Sequence, residues 1–234
     1  MKKQLFIYTF LLFSSIASAQ LYEIGAFVGG SNAIADIGSE YYINPNALAL
    51  GGIAKYNFTS RITFRGSLIY TNLLMNDSRS DNEYRKNRGL SHTNKVLEAV
   101  AGIEFNFFKY SISKVGYTST PYIFIEAGAV NYRAYTSFDG VSLTSKRVFR
   151  PAIPFGVGFK TRLANNVSIG LETSFRYTFK DDIDGNFNDI PDTVPNHERY
   201  DFGNPNSNDW YVFTGLNITY VFGRPDCNCK DRFF

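Results

Sequence analysis

Val167-Ser168-Ile169-Gly170-Leu171-Glu172-Thr173-Ser174-Phe175-Arg176-Tyr177-Thr178-Phe179 places an apolar or half-apolar residue at every second position. Val167, Ile169, Leu171, Thr173, Phe175, Tyr177 and Phe179 share one side, and Ser168, Gly170, Glu172, Ser174, Arg176 and Thr178 the other. Successive side chains of an extended chain point to opposite faces, so a period of two writes a strand with one oily and one polar face. Just before it lies the short turn Ala164-Asn165-Asn166. Residues 153–163 repeat the alternation on its other side, with Ile153, Phe155, Val157, Phe159 and Leu163 against Pro154, Gly156, Gly158, Lys160 and Arg162. Together the two segments read as a hairpin with an oily side.

The same period recurs toward the N-terminus. Residues 61–71 set Ile62, Phe64, Leu68 and Tyr70 against Arg61, Thr63, Arg65, Ser67 and Thr71. Thr59-Ser60 joins them to 47–58, where Leu48, Leu50, Ala54, Tyr56 and Phe58 share a face. Further strands are predicted at 22–29, 94–107, 121–134 and 210–222, the last with Trp210, Val212, Leu216, Ile218, Tyr220 and Phe222 in phase. The expectation is an all-β fold, a transmembrane antiparallel up-and-down β-barrel of about eight strands over residues 20–223. Long polar connections at 30–46, 74–92, 135–147 and 180–209 alternate with short ones at 59–60 and 164–166. The 108–120 linker is the exception on the short-turn side. Long loops belong outside the cell and short turns in the periplasm, which would put both termini in the periplasm.

A chain of 234 residues is long enough for one domain. Aromatics make up 17% of it and charged residues only 19%, a balance that suits strands and membrane interfaces. The net charge of +3 is too mild for nucleic acid, and no run of Lys and Arg forms a phosphate-tracking stripe. Met1-Lys2-Lys3, the apolar run Leu5 to Phe13, and Ala17-Ser18-Ala19 before Gln20 have the form of a secretory signal peptide over residues 1–19. That apolar run is too short for a spanning helix, and later segments hold no unbroken apolar stretch, so membrane residence requires a closed barrel. A soluble lipocalin-like barrel or sandwich would instead turn the oily face inward. Aromatics near strand ends (Tyr56, Phe58, Tyr177, Phe179, Trp210 and Phe222) favour the membrane reading, because interfacial girdles need them there.

On the polar faces, Glu23, Glu98, Glu104, Glu126 and Glu172 stand against Lys55, Arg65, Lys160, Arg162 and Arg176. Inside a lumen only wide enough for side chains, such charges must pair, since breaking a buried pair is strongly destabilising. A plugged, non-conducting interior is therefore expected. His92 and His197 fall in predicted outer loops, and Ser91 beside His92 is adjacency without a catalytic geometry. Asp181-Asp182-Ile183-Asp184-Gly185-Asn186 through Asp192 is rich in oxygen ligands but lacks EF-hand spacing, so it reads as a solvated acidic loop rather than a Ca²⁺ site. No cofactor motif, phosphate-binding glycine loop or His/Cys metal pattern is found.

After Gly223-Arg224, Pro225 ends the last strand, and beyond it lie Cys227 and Cys229 in a tail over 224–234. A Cys-x-Cys pair closes only as a small strained ring. Two readings stand: a local disulfide, or a bond from Cys227 or Cys229 to a periplasmic partner. Two thiols are too few for a closed zinc site.

Several phrases recur in order and in phase with these strands: Tyr22-Glu23-Ile24-Gly25 with Gly29-Gly30, Ala35-Asp36-Ile37-Gly38, Arg65-Gly66-Ser67-Leu68, Arg88-Gly89-Leu90-Ser91, Glu104-Phe105-Asn106-Phe107-Phe108, Thr120-Pro121-Tyr122, Ile153-Pro154-Phe155-Gly156 and Arg176-Tyr177-Thr178-Phe179. From about residue 22 onward the chain resembles the PorG-like outer-membrane barrels of the Bacteroidota type IX secretion system. The resemblance implies a non-enzymatic component that contacts a periplasmic ring, made of a lipoprotein and its partner, beneath a translocon. The loop after Phe179 departs from the family wording. Outer-membrane lipids would be its solvent. Two other readings are a free-standing OmpX-like barrel whose outer loops bind surfaces or ligands, and, least favoured, a lipid-modifying barrel enzyme, for which no base-bearing constellation sits at a strand end.

Overall fold

A computed structural model of the chain describes residues 21–110, 118–138, 142–164, 166–187, 193, 196, 197, 201, 202 and 207–223. The predicted signal peptide and the tail carrying Cys227 and Cys229 lie outside the described residues. Among those described, the strands are β1 (Leu21–Ile34), β2 (Ala47–Asn57), β3 (Ile62–Asn76), β4 (Ser91–Asn106), β5 (Ser119–Phe138), β6 (Leu143–Ala164), β7 (Val167–Thr178) and β8 (Trp210–Phe222). Each pairs antiparallel with its neighbour in the chain, and β8 returns to β1 from Tyr22↔Phe222 to Ile34↔Trp210. The fold is thus the expected eight-stranded up-and-down barrel, closed so that no edge strand is left with unpaired backbone groups.

The period of two sorts the side chains. Ile24, Leu68, Ile125, Val157, Leu171 and Ile218 are exposed on the outer wall, while Glu172 and Arg176 are buried inside. The soluble alternative, with the oily rows inward, is overturned by that orientation. A continuous apolar exterior is unfavourable in water and is the solvated face in hydrocarbon. Aromatic clusters mark both rims. Near the short turns, Tyr22 meets Tyr56 at 5.5 Å and Phe222 at 5.6 Å between ring centroids. At the other end, Trp210 meets Tyr177 at 4.8 Å and Phe155 at 6.0 Å.

Three predicted connections differ from what is observed, the first being 30–46, into which β1 extends as far as Ile34. Residues 135–147 do not form a long loop, because β5 and β6 continue as a ladder to Phe138↔Leu143, with a register shift between Tyr135 and Ser137. Beyond the apolar belt both faces of a hairpin meet water, so polar Thr136, Ser137 and Ser145 extend the strands without any alternation to announce them. The 74–92 connection is also shorter and partly helical: Asp77–Arg79 makes one 3-10 turn and α1 (Glu83–Arg88) follows it. The Asn82 side chain accepts from Tyr84 N–H at the start of α1, and Gly89, with φ of 66°, closes its end.

Candidate functional site: the lumen and its two covers

β2, β3, β4, β5, β6 and β7 aim inward residues at one ionic layer in the half of the lumen nearest the short turns. Glu104 on β4 accepts from Lys55 Nζ at 2.8 Å, Lys160 Nζ at 2.5 Å and Arg65 Nη1 at 3.3 Å. Arg65 on β3 is the hub. Its Nε donates to Glu126 at 3.1 Å, its Nη2 to Glu172 at 3.1 Å, and its guanidinium lies 3.9 Å from the centre of the Phe124 ring. Glu172 also accepts from the Tyr122 hydroxyl at 2.7 Å and from Asn217 Nδ2 at 3.0 Å. Tyr122 can lie there because β6 carries Gly158 beneath it, where a Cβ would come within 2.4 Å of the ring.

The other predicted lumen residues lie around this hub. Glu23 accepts from Asn57 Nδ2 of β2 at 2.8 Å and, across the β1–β8 seam, from Thr219 Oγ1 at 2.7 Å. Arg162 donates to the Ala164 carbonyl at 3.2 Å. Glu98 and Arg176 form a separate pair at 3.3 Å nearer the long loops, where Tyr211 donates to Glu98 at 2.5 Å and Arg176 to Ser174. All ten residues are buried. Desolvating each ion costs several kcal/mol, offset here by multiple charge-assisted hydrogen bonds.

Both mouths are covered by loop residues that the alternation pattern passes over. At the short-turn end, Tyr110 of the 108–120 linker enters the barrel, donates to Ser168 Oγ at 2.7 Å and lies under Lys160 Nζ at 4.2 Å. At the long-loop end, Ile183 is fully buried, its N–H held by Asp209 Oδ2 at 2.9 Å and its carbonyl by Asn94 Nδ2 at 2.8 Å. The stretch from Ile183 to Asn186 is therefore no solvated loop but an inserted cover, and Asp184 and Asn186 are buried with it. The sequence signal was Ile183 itself, the one large apolar residue among Asp181, Asp182 and Asp184. Gly185, with φ of 88°, turns the chain where a Cβ would lie 2.9 Å from the His92 imidazole. This places His92 at the outer end of β4 rather than in a loop. His197 lies in the connection before β8, with its carbonyl bonded to Asp201 N–H.

Crowding gives the cover unusual acids. Burial, then the neighbouring Asp184 and Asp36, push the Asp181 carboxyl up to about 7. Burial, then Asp36, raises Asp184 to about 6, and burial with Asp184 and Asp181 drives Asp209 well above the carboxylate range. Among the described residues, no three His, Cys, Asp or Glu side chains are grouped closely enough to hold a metal ion. The adjoining loops are tied together through Asp77, whose carboxylate accepts from Arg88 Nε at 2.9 Å, Leu90 N–H at 3.0 Å and Gly38 N–H at 3.0 Å.

An apolar exterior around a closed, ion-paired interior defines a small membrane-embedded β-barrel whose lumen is filled by its own side chains. The chain belongs to the family described as domain of unknown function DUF6089, which matches residues 2–231. No curated protein matches it. Among solved structures it is similar to Neisserial surface protein A, at 11% identity and a TM-score of 0.46, over 88% of this chain and 98% of that one. It is similar also to the attachment invasion locus protein Ail of Yersinia pestis, at 14% identity, a TM-score of 0.40, and coverage of 87% and 97%. A major outer membrane protein of Thermus thermophilus shares 12% identity, with a TM-score of 0.42 and coverage of 88% and 100%.

Proposed function

We propose that this protein is a non-enzymatic, non-conducting outer-membrane barrel that acts through its ends, anchoring a periplasmic secretion ring of the type IX kind. One observation carries the first half of this reading: Arg65, tied to Glu104, Glu126 and Glu172, fills the barrel from wall to wall. Among the described residues, Tyr110 and Ile183 are buried at the two mouths, which supports a lumen closed to solutes. The second half rests on the family phrases quoted from the sequence, with the ring lipoprotein and its partner as the implied contacts. The docking surface would be the rim around Phe107 and Phe108, both exposed, together with the tail bearing Cys227 and Cys229.

In planar bilayers the purified barrel is expected to give no stable single channels. In cells, cross-linking from the 108–120 linker should capture a periplasmic lipoprotein, and Cys227→Ser with Cys229→Ser should reduce that capture under non-reducing conditions. Full secretion and no capture in a tail-deleted strain would sink the ring reading while leaving the sealed barrel intact. A second reading, a free-standing barrel that binds surfaces through its long loops, is favoured by Tyr41, Tyr42, Ile43 and Tyr84, all exposed at that end. Loss of surface adhesion on replacing those four residues, with secretion unchanged, would select it.

A further inference from the structure

Lys95, Arg133 and Arg147 stand exposed on three consecutive strands of the outer wall. Arg133 and Arg147 are directly opposite in the β5–β6 ladder. The β4–β5 ladder ends at Leu97↔Asn131, and two residues further along each strand Lys95 and Arg133 share the outward phase.

Two asparagines fix this row. Asn94 donates to the Arg133 carbonyl at 2.7 Å and accepts the Arg133 N–H at 3.0 Å, which joins β4 to β5 beyond the end of their ladder. Asn131 Oδ1 accepts from Arg147 Nη1 at 2.7 Å and holds that guanidinium in place. Like charges set opposite one another on a sheet repel. Yet none of the ion pairs among the described residues involves any of the three. The row also has a defined depth. The outward residues one step toward the barrel centre are Leu97, Asn131 and Phe149, and Phe149 is 77% exposed at the edge of the apolar belt. Just beyond hydrocarbon comes the headgroup layer. Paired strands are spaced about 4.8 Å apart, so Arg133 and Arg147 can share one phosphate, while Lys95, across the Asn94 bridge, reaches for a second group of the same headgroup. Arginine's planar fork suits phosphate oxygens, and the Lys95 ammonium adds a third charge.

We propose that Lys95, Arg133 and Arg147 form a binding site for a phosphorylated lipid headgroup in the leaflet at the long-loop end of the barrel. The repulsion within the row is relieved by the bound phosphates, and the lipid is held against β4, β5 and β6 by its headgroup. Native mass spectrometry of the full mature chain in neutral micelles tests this with three probes: bisphosphorylated lipid A, its dephosphorylated form and inorganic phosphate. The wild type should retain the bisphosphorylated lipid, and high salt should strip it. Lys95→Gln with Arg133→Gln and Arg147→Gln should weaken retention at least about tenfold, given that each basic residue at a charged membrane surface contributes appreciably. Heat-modifiable gel migration reports whether that variant is folded, and Arg147→Gln alone, expected to lose part of the retention, serves if it is not. Arg61→Gln, at the opposite rim, should change nothing. Equal retention by the folded triple variant, or equal retention of the dephosphorylated lipid, would overturn the site. So would displacement of the lipid by equimolar inorganic phosphate, which would make it a plain anion site.

Discussion

In the half of the lumen near the short turns, Lys55, Arg65, Glu104, Lys160 and Glu172 bond to one another. In the half beneath the long loops, Ile69, Leu73, Met75, Val96, Val130 and Phe213 form one apolar cluster. Both sets occupy the same inward phase of shared strands: Arg65 and Leu73 lie on β3, and Glu104 and Val96 on β4. The contrast separates two things that strand periodicity is readily taken to give together. A period of two fixes which way a side chain points, and the closed ring then removes it from water whatever its polarity. The apolar half is held by contact, and the ionic half by partners, each of which must be present.

That difference can be tested by mutation, and Arg65→Met should have the largest effect. It leaves Glu104, Glu126 and Glu172 without their shared cation, and the expected loss is about 3–5 kcal/mol in urea unfolding from lipid vesicles. A loss below about 1 kcal/mol would mean that water reaches these carboxylates. Leu73→Ala should cost about 2–4 kcal/mol by the same measurement, because Leu73 is fully buried in the apolar cluster. A larger loss there than at Arg65 would invert the comparison. Gly158→Ala comes next, at about 1–3 kcal/mol, since its Cβ would displace Tyr122 from Glu172. In a Tyr122→Phe background the same glycine substitution should cost less.

The smallest effect concerns the cover over the apolar half. Asp181 and Asp184 are raised to about 7 and about 6 when the cover is in place, against an ordinary value of 3.8. The inserted form therefore holds protons that the released form gives up. Its stabilisation is complete below about pH 4 and is lost as the pH rises through 6 and 7. Amide exchange over residues 181–186, corrected for intrinsic rates, should show protection falling across that window and flat above it. Protection that rises with pH would refute the assignment.

Strand number and closure were legible from the alternation, and inward Glu, Lys and Arg stand out against small or apolar neighbours, though Glu23 and Arg162 bond to neutral groups. The apolar half was much less legible. Ile69, Val96 and Val130 share the type of residue found on the lipid face, so only their phase marks them, and a charge-based reading passes them by. Tyr110 and Ile183 were hidden for another reason. They belong to connections without a period, and their insertion depends on the diameter of a mouth that no local stretch encodes. The β5–β6 extension escaped because a hairpin bathed in water on both faces has no reason to alternate.

The bond from Thr219 to Glu23 joins residues 196 positions apart, and Arg65 reaches Glu172 across 107. Neither contact exists in any fragment that lacks the last strands. Until β8 finds β1, Arg65 and Glu23 lack partners supplied by β7 and β8, and the nascent ring is open to water. Closing the seam supplies these final partners and excludes solvent in one event. The pairs Lys55–Glu104, Arg65–Glu104 and Arg65–Glu126 need only β2 to β5, so an incompletely zipped barrel is marked by Glu23 and Glu172, carboxylates it cannot yet fully satisfy.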